Sequence, residues 1–448
     1  MSETRSLRSK LARHLIRGLS SAAVITIIAF AVRIEFLRYE QRYAPVPINS
    51  SLPFGYETGR IAQSIALGRG FSSPLSVDSG PTAWLTPVYP YLLAGVFKLF
   101  GVFTYRSWVT IIAINCAFSA LTCLPIYYAG KRLGGLKVGA AAAWIWAFFA
   151  DAILMPTTWV WDSSLAALIA ACILMMTIKV WNSDRSRDWI VYGALWGLAA
   201  MVNPSILAVL PFLLGWFAWE KHKASAVWVR QVATIAILVF AACVPWTIRN
   251  YRVFHQFVPL RSNFGLELWL GNNPDVPDTW AGELHPNDYP PEREKFQRLG
   301  EIAYMKQKQS EAIAFMKSHP VDTARFMWRR FVDTWTGNWD PIQDIWAHAS
   351  WYERTLLLSN IGVSVLGLVG LLVLSRLKNP FAVPLALFPL IFPIIYYVTH
   401  PSRRYRHPID PVMITVAAFA ITYPFRLFAE RRQHALADDS SQLVASPN

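Results

Sequence analysis

The sequence predicts an all-α polytopic membrane protein with about ten transmembrane helices. Hydrophobic residues make up 54% of the 448 residues and charged residues only 16%, a composition that excludes an ordinary soluble globular protein. The chain also contains 20 tryptophans, whose amphipathic rings collect at the two surfaces of a membrane. The net charge of +14 is carried by short Lys and Arg clusters between apolar runs. Because these clusters are not gathered in one domain, they indicate membrane topology rather than nucleic-acid binding.

The first apolar stretch follows a basic N-terminus, residues 1–20, that is rich in arginine. The stretch runs from about Ser21 to Val32, and the chain then continues as RIEFLRYEQRY. A cleavable signal peptide would need small residues at that point, so we expect an uncleaved first span. The N-terminus is therefore predicted to lie in the cytoplasm.

Apolar runs of roughly 15 to 25 residues are long enough to be bilayer spans. The predicted spans are 18–37, 106–129, 138–154, 163–181, 189–202, 205–219, 228–247, 355–375, 380–398 and 409–427. The basic clusters fall on one side of these alternating spans, which assigns that side to the cytoplasm. The opposite side then receives two long outer loops, about 38–105 and 248–354, and the short turns at 155–161, 203–204 and 399–408.

Some segments fit this topology less simply. Residues 88–101, VYPYLLAGVFKLFG, are too short to span and carry a lysine, so they are predicted to form a helix lying in the outer interface. Apolar residues recur at helical spacing in 291–330, which predicts interfacial helices within the second loop rather than a separate domain. The membrane domain is expected to cover 21–427. The tail, 428–448, is predicted to be cytoplasmic and disordered.

The turn HPSRRYRHP places Arg403, Arg404 and Arg406 on the side where the topology rule predicts few cations. Arginine suits a phosphate or pyrophosphate, because its planar fork donates two parallel hydrogen bonds and stays charged when partly desolvated. Contact with lipid headgroups is the alternative explanation. For three arginines flanked by histidines and prolines, we favour a bound phosphate.

Two carboxylates are predicted to face the same compartment. Glu57 begins a predicted short helix in the first outer loop, and Asp162 lies where the fourth span begins. Glu57 is alternatively a solvated acid favoured by the helix dipole, and Asp162 an ordinary N-cap. Near the membrane surface, either carboxylate is a candidate general base for an acceptor hydroxyl or amine.

Other polar residues fall on the same outer side. Arg249, in PWTIRNY, is either a rim charge or a further phosphate ligand. The candidate substrate-binding residues are Tyr56, Tyr405, Asn203, Asn272 and His285. For Asn203 a helix-breaking turn before Pro204 is the simpler explanation, and His285 is a surface histidine unless the loop 278–300 forms a lid on the acceptor side.

The order of these motifs resembles a known family. An outer acid followed by IAQSIALGRGF and GPTAWLTPVYPYLLAGVFKLFG resembles the first loop of bacterial membrane glycosyltransferases of the dolichyl-phosphate-mannose protein mannosyltransferase type, glycosyltransferase family 39. Asp162, GLAAMVNPSILAVLPF, PWTIRNY with GNN, and RYRHPIDP follow in the family's order. The resemblance covers about residues 20–427, and each motif is short, so their order carries more weight than any single match.

This resemblance implies the GT-C fold, a multispan helical bundle whose first outer loop carries the catalytic acid and whose donor is a polyprenyl-phosphate-linked sugar. Glu57 matches the first-loop acid and Asp162 the second acid. This chain has Tyr56-Glu57 where many relatives have an Asp or an Asp-Glu pair. Metal dependence varies across the fold. The sequence contains no His, Asp and Glu cluster that requires a divalent metal, so the cofactor is left unassigned.

The expected function is that of an integral-membrane hexosyl- or pentosyltransferase in the inner (plasma) membrane, with its active site outside the cytoplasm. Glu57, with Asp162, would deprotonate an acceptor protein, lipid or polysaccharide in a single displacement. Arg404 and Arg406, helped by Arg403 and Arg249, would stabilise the departing lipid phosphate.

Two other classes of protein remain open. A transporter or flippase of a lipid-linked saccharide would also need outer arginines and a hydrophobic bundle. Transporters, however, usually carry ionisable groups near the membrane midplane, whereas the predicted spans here are almost free of acids. A membrane scaffold would tolerate the loss of Glu57 and Arg404.

Overall fold

The computed structural model describes residues 18–43, 48, 50–223, 228–337 and 350–444. Within these residues the chain is helical and forms no β-strand, only an isolated bridge between Ser72 and Pro81. Residues 1–17, which hold most of the basic N-terminus, lie outside the described residues, as do residues 338–349 of the second loop. In chain order the α-helices are α1 (Ala22–Tyr43), α2 (Glu57–Ala66), α3 (Val88–Phe100), α4 (Tyr105–Leu121), α5 (Cys123–Gly134), α6 (Leu136–Phe148), α7 (Ala150–Thr158), α8 (Ser163–Val180), α9 (Ser186–Val202), α10 (Leu210–Lys223), α11 (Val229–Phe254), α12 (Phe264–Gly271), α13 (Pro290–Leu299), α14 (Glu301–Ser318), α15 (Pro320–Thr336), α16 (Trp351–Arg376), α17 (Ala382–Ile391), α18 (Ile394–Val398), α19 (Arg403–Arg406) and α20 (Asp410–Val444).

The chain is a multi-pass membrane protein. In the described residues, five helical segments are long and apolar enough to cross a bilayer: Tyr105–Gly134, Ser163–Val180, Val229–Phe254, Glu353–Arg376 and Arg403–Phe428. The pair α6 and α7, bent by 45° at its break, makes a sixth if it is counted as one span. The sequence predicted about ten spans, and helices occupy all ten predicted stretches.

The difference between six and ten lies in helices that are short, interrupted or charged. The predicted span 205–219 begins with a 3₁₀ turn that Pro204 opens ahead of α10, and Pro393 divides the predicted span 380–398 into α17 and α18. Proline removes a helical hydrogen bond and clashes with the preceding turn, so these segments do not form one long helix. Helix α1 carries Arg33 within its apolar stretch.

Arg33 holds the break between α6 and α7. Its guanidinium is fully buried and donates to the carbonyls of Trp146 and Ala147 and to the hydroxyl of Ser119. The last carbonyls of a helix lack intrahelical partners, and here a buried arginine supplies the missing donors. The break therefore costs little free energy. It also allows α7 to place Asp151 inside the helical bundle.

The two outer loops are joined by Glu301, at the start of α14. Its buried carboxylate accepts hydrogen bonds from the hydroxyls of Thr82 and Ser262 and from the backbone N–H of Ala83. Three donors on one carboxylate offset the cost of burying it. The first loop is thereby fixed against the second over the ends of the membrane helices.

The predicted loop helices are present. Helix α3 covers residues 88–100 and α13 to α15 cover most of 290–336, although their position in the membrane interface remains a prediction. The last helix runs to Val444, through residues for which the sequence predicted disorder. Alanine, leucine, glutamate and arginine are frequent in residues 428–437, and these are strong helix formers, which accounts for the difference.

Candidate active site

Glu57 is brought to the site by an unusual turn. Gly55 and Tyr56 both have positive φ, +76° and +47°, immediately before α2 begins. A side chain at Gly55 would lie 2.3 Å from the carbonyl oxygen of Val160, so only glycine permits this approach. Tyr56 has no such freedom, and a strained non-glycine residue is typical of functional sites. The turn seats Glu57 beside the segment that leads to Asp162.

The Glu57 carboxylate is buried and contacts the second outer loop. Its Oε1 accepts a hydrogen bond from Nδ2 of Asn287 at 2.7 Å and lies 3.6 Å from Nε2 of His285. Nδ1 of His285 accepts from the backbone N–H of Asn287, so Nε2 is the nitrogen that carries a proton toward Glu57. Burial raises the pKa of Glu57, and the charges of His285 and Arg404 partly oppose that rise.

Asp162 lies at the start of α8. In the described chain its side chain makes no capping hydrogen bond to the helix, so the simple N-cap explanation does not apply. Burial raises its pKa, opposed by the charges of Arg261 and Arg404. Asp162 and Glu57 therefore experience the charge of the same arginine.

Arg404 is that shared arginine. Its guanidinium stacks over the ring of Trp161, 3.8 Å from the centroid, and donates to the hydroxyl of Tyr405 at 2.8 Å. Its charge acts on Glu57, Asp162 and a third carboxylate, Glu267. The structure thus brings Glu57, Asp162, Arg404 and Tyr405 into one electrostatic cluster.

The sequence did not indicate that Glu267 and His400 form a pair. Oε2 of Glu267 lies 2.7 Å from Nε2 of His400, and Nδ2 of Asn263 donates to its other oxygen. Burial opposes ionisation of Glu267, yet His400, helped by His285 and Arg261, lowers its pKa to about 2. The available signal was that Glu267 is the single charged residue of the apolar helix FGLELWLG.

Arg261 and Asn287 are two further members that the sequence did not single out. The charge of Arg261 lowers the pKa of both Asp162 and Glu267, while its Nε donates to the carbonyl of Trp84. Asn287 donates to Glu57, and its buried Oδ1 has no hydrogen-bond partner within the described residues. An unpaired buried acceptor beside a carboxylate is suited to a substrate hydroxyl or amine.

The other predicted phosphate ligands have protein partners elsewhere. Arg403 lies 3.6 Å from Asp151, and Arg406 pairs with Asp410 at 2.9 Å and donates to a helix-end carbonyl. Together these pairs fix both ends of the short helix that presents Arg404. Arg249 donates to the carbonyls of Thr82 and Phe71 and thereby supports the first outer loop.

The two predicted amide ligands, Asn203 and Asn272, also form hydrogen bonds with the backbone. Asn203 accepts from the N–H of Ser205, which is the turn-forming role that Pro204 suggested. Asn272 is fully buried and donates to the carbonyls of Leu268 and Val398. These hydrogen bonds hold Asn272 and the Oδ1 atom of Asn203 to the backbone.

The described residues show no ready-made set of metal ligands. Among the described residues, no group of three or more His, Cys, Asp or Glu side chains is arranged to hold an ion. Glu57 accepts a hydrogen bond from Asn287, Glu267 contacts His400, and Asp162 experiences the charge of two arginines.

Comparisons with known proteins identify the fold. Residues 82–246 match the family model described as dolichyl-phosphate-mannose-protein mannosyltransferase, which confirms the resemblance over a segment that contains Asp162. The apo oligosaccharyltransferase of Archaeoglobus fulgidus superposes with a TM-score of 0.55 at 14% identity, over 93% of this chain and 52% of that one. The chain has the GT-C fold.

Two further GT-C structures are similar. The oligosaccharyltransferase AglB of A. fulgidus, in complex with an inhibitory peptide and a dolichol-phosphate, matches at 15% identity and a TM-score of 0.51, over 95% of this chain and 52% of that one. ArnT of Cupriavidus metallidurans bound to undecaprenyl phosphate matches at 12% identity and a TM-score of 0.41, over 92% and 78%. This chain spans about half the length of the oligosaccharyltransferase. Comparison with curated proteins gave no match.

Proposed function

We propose that this GT-C protein is an integral-membrane glycosyltransferase. It transfers a hexosyl or pentosyl group from a polyprenyl-phosphate-linked donor to an acceptor on the extracytoplasmic side of the inner membrane. Glu57 is the general base, and Arg404 with Arg261 binds the donor phosphate. Asp162 and Glu267 complete the charged cluster, and the buried Oδ1 of Asn287 receives a hydrogen bond from the acceptor.

The reaction is a single displacement. Glu57 takes the proton of the acceptor O–H or N–H, and the acceptor atom forms a bond to C1 of the sugar. The bond between C1 and the phosphate oxygen breaks, its electron pair stays on the phosphate, and the configuration at C1 inverts. The products are the glycosylated acceptor, the polyprenyl phosphate and protonated Glu57.

The energetic requirements of this step match the cluster. The raised pKa of Glu57 makes it a stronger base than an ordinary carboxylate, provided that it is ionised at the working pH. The phosphate gains negative charge as it leaves, and preorganised cations stabilise such charge most effectively where water is excluded. The hydrogen bond from Asn287 holds the base in one orientation.

One observation carries the proposal: the guanidinium of Arg404 lies over the ring of Trp161, next to Asp162, where its charge opposes the raised pKa of both predicted acids, Glu57 and Asp162. The two acids and Arg404 lie far apart in the sequence, in the first loop, at the fourth predicted span and in the last outer turn. A sugar phosphate placed between them would have its reacting carbon near a base and its leaving group near a cation.

The comparisons support the choice of donor and leave the acceptor open. AglB binds a dolichol-phosphate, the lipid carrier class proposed here, and an inhibitory peptide. The family model that matches residues 82–246 is that of a mannosyltransferase acting from dolichyl-phosphate-mannose to protein. A protein, lipid or polysaccharide acceptor is compatible with the cluster. The transporter alternative receives no support from these comparisons.

Release of polyprenyl phosphate from defined undecaprenyl-phosphate sugars tests the proposal. We expect Glu57→Gln to lower the rate about 100-fold or more, the range of a lost general base. Arg404→Gln should lower it by a similar factor through lost charge stabilisation. Glu294→Gln and Arg298→Gln, which make the same side-chain changes at exposed positions of the second loop, are the controls and should retain full rate. Near wild-type turnover in Glu57→Gln would contradict the proposal.

A further inference from the structure

A second charged cavity lies away from the candidate active site. Its volume is about 470 Å³, and its lining includes Arg132, Lys179, Arg185 and Asp188. These residues lie near the end of α5, at the end of α8, and in and just after the connection from α8 to α9. The cavity is therefore built from the ends of membrane helices.

The length of α8 places this cavity at the opposite membrane surface. Helix α8 has 18 residues, which at 1.5 Å per residue gives about 27 Å, close to the thickness of the hydrocarbon layer. Asp162, in the active-site cluster, precedes its first residue, and Lys179 lies in its last turn. The cavity and the cluster thus occupy the two ends of one transmembrane helix.

The cavity carries an excess of positive charge. Lys179 pairs with Asp188 at 2.5 Å, and the hydroxyl of Ser183 donates to the same carboxylate. In the described part of the chain, the guanidinium groups of Arg132 and Arg185 form no hydrogen bond or ion pair. The cavity is large enough for a lipid headgroup. Its two guanidinium groups have no carboxylate partner there, and guanidinium groups bind the oxygens of a phosphate well.

Aromatic residues around the cavity mark the membrane interface. Phe381 lines it and meets Trp181 edge to face, with ring centroids 6.4 Å apart, and Trp181 stacks on Trp216 at 4.5 Å. The indole N–H of Trp189 donates to the carbonyl of Ser183. Tryptophans with this arrangement are typical of the headgroup layer of a bilayer. An anion in the cavity would therefore come from that layer.

We propose that this cavity binds the phosphate of an anionic phospholipid, in the leaflet opposite the candidate active site. Arg132 and Arg185 bind the phosphate oxygens, and the ion pair of Lys179 with Asp188 holds the wall of the cavity. The proposal depends on the cavity alone and not on the proposed glycosyl transfer.

Lipid binding to the purified full chain tests this site. The probe is phosphatidylglycerol titrated into detergent-solubilised protein and followed by native mass spectrometry, with phosphatidylcholine as the neutral lipid. Arg132→Gln and Arg185→Gln should each weaken phosphatidylglycerol binding about fivefold, the usual contribution of one basic residue at an anionic surface. Lys137→Gln and Arg187→Gln make the same charge change on exposed neighbours outside the cavity and should change binding less than about twofold.

Three results would overturn the proposal. Equal weakening by all four variants would mean that surface charge alone attracts the lipid. Unchanged binding in Arg132→Gln and Arg185→Gln would remove the cavity as the site. Displacement of phosphatidylglycerol by millimolar inorganic phosphate would assign the cavity to a free anion. Arg132→Lys and Arg185→Lys keep the charge and should retain part of the binding, which separates lost affinity from lost folding.

Discussion

The guanidinium of Arg404 stacks 3.8 Å above the ring centroid of Trp161, the residue before Asp162. This contact joins the last outer turn of the chain to the start of α8. A cation over a tryptophan face is stabilised by the ring quadrupole, and the stacked plane also fixes the direction of the fork. The contact therefore positions Arg404, whose charge acts on both predicted acids.

Arg404→Lys should impair the proposed transfer although it keeps the charge. Lysine cannot reproduce the stacked plane on Trp161 or the fork that a phosphate requires. We expect kcat to fall about tenfold in Arg404→Lys, because a partly desolvated cation–π contact contributes about that much. Trp161→Leu removes the same contact and should lower kcat by a comparable factor. Initial rates of polyprenyl phosphate release measure both variants. Full activity in Arg404→Lys would show that charge alone suffices.

Glu57→Gln should lose activity without losing stability. The pKa of Glu57 is raised, so ionising this carboxylate destabilises the folded state at neutral pH. Glutamine is neutral and keeps an oxygen that accepts from Asn287. The Tm of the purified variant should therefore equal or exceed that of the wild type. A Tm several degrees lower would indicate that the ionised carboxylate supports the fold.

On the acid side of the pH–activity profile, the midpoint of the fall in rate should lie at a higher pH than the ordinary pKa of glutamate. As the pH falls through the raised pKa of Glu57, the base is protonated and the rate declines. The charge of His285 lowers this pKa, so His285→Gln should move the midpoint to higher pH. His319→Gln, at an exposed histidine of the same loop, serves as the control. A midpoint unchanged or moved to lower pH by His285→Gln would argue against Glu57 as the base.

The sequence located the membrane helices well, because long apolar runs have few alternatives. It also singled out Glu57, Asp162 and Arg404, each by its predicted position on the outer side, and the structure places both acids within the electrostatic influence of Arg404. It did not distinguish Arg404 from Arg406, and it gave Arg403, in the same short motif, a helping role. Their difference depends on Asp151 and Asp410, and no spacing in the sequence indicates which arginine each aspartate pairs with.

The second-loop members of the cluster required the folded structure for a related reason. Arg261, Glu267 and Asn287 lie in a long loop where charged residues are ordinary. They reach the cluster because Glu301 ties this loop to the first one, a contact between residues more than 200 positions apart. Local patterns do not encode such contacts.

Glu267→Gln should lower the stability of the protein at neutral pH. The pKa of Glu267 is lowered to about 2, so its ionised form contributes stability that is complete above the ordinary glutamate pKa and disappears as the pH falls toward 2. We expect a loss of about 2 kcal/mol near pH 7. Thermal unfolding of both proteins from pH 7 to pH 3 measures this difference, which should shrink as the pH falls. A constant difference would assign the effect to packing.

A structure of the chain with bound polyprenyl phosphate, determined by cryo-electron microscopy, tests the central claim most directly. The account predicts the phosphate within hydrogen-bond distance of Arg404 and Arg261, on the side of the cluster that faces Glu57. A phosphate bound instead at Arg403 or Arg406, with the cluster around Glu57 unoccupied, would contradict it.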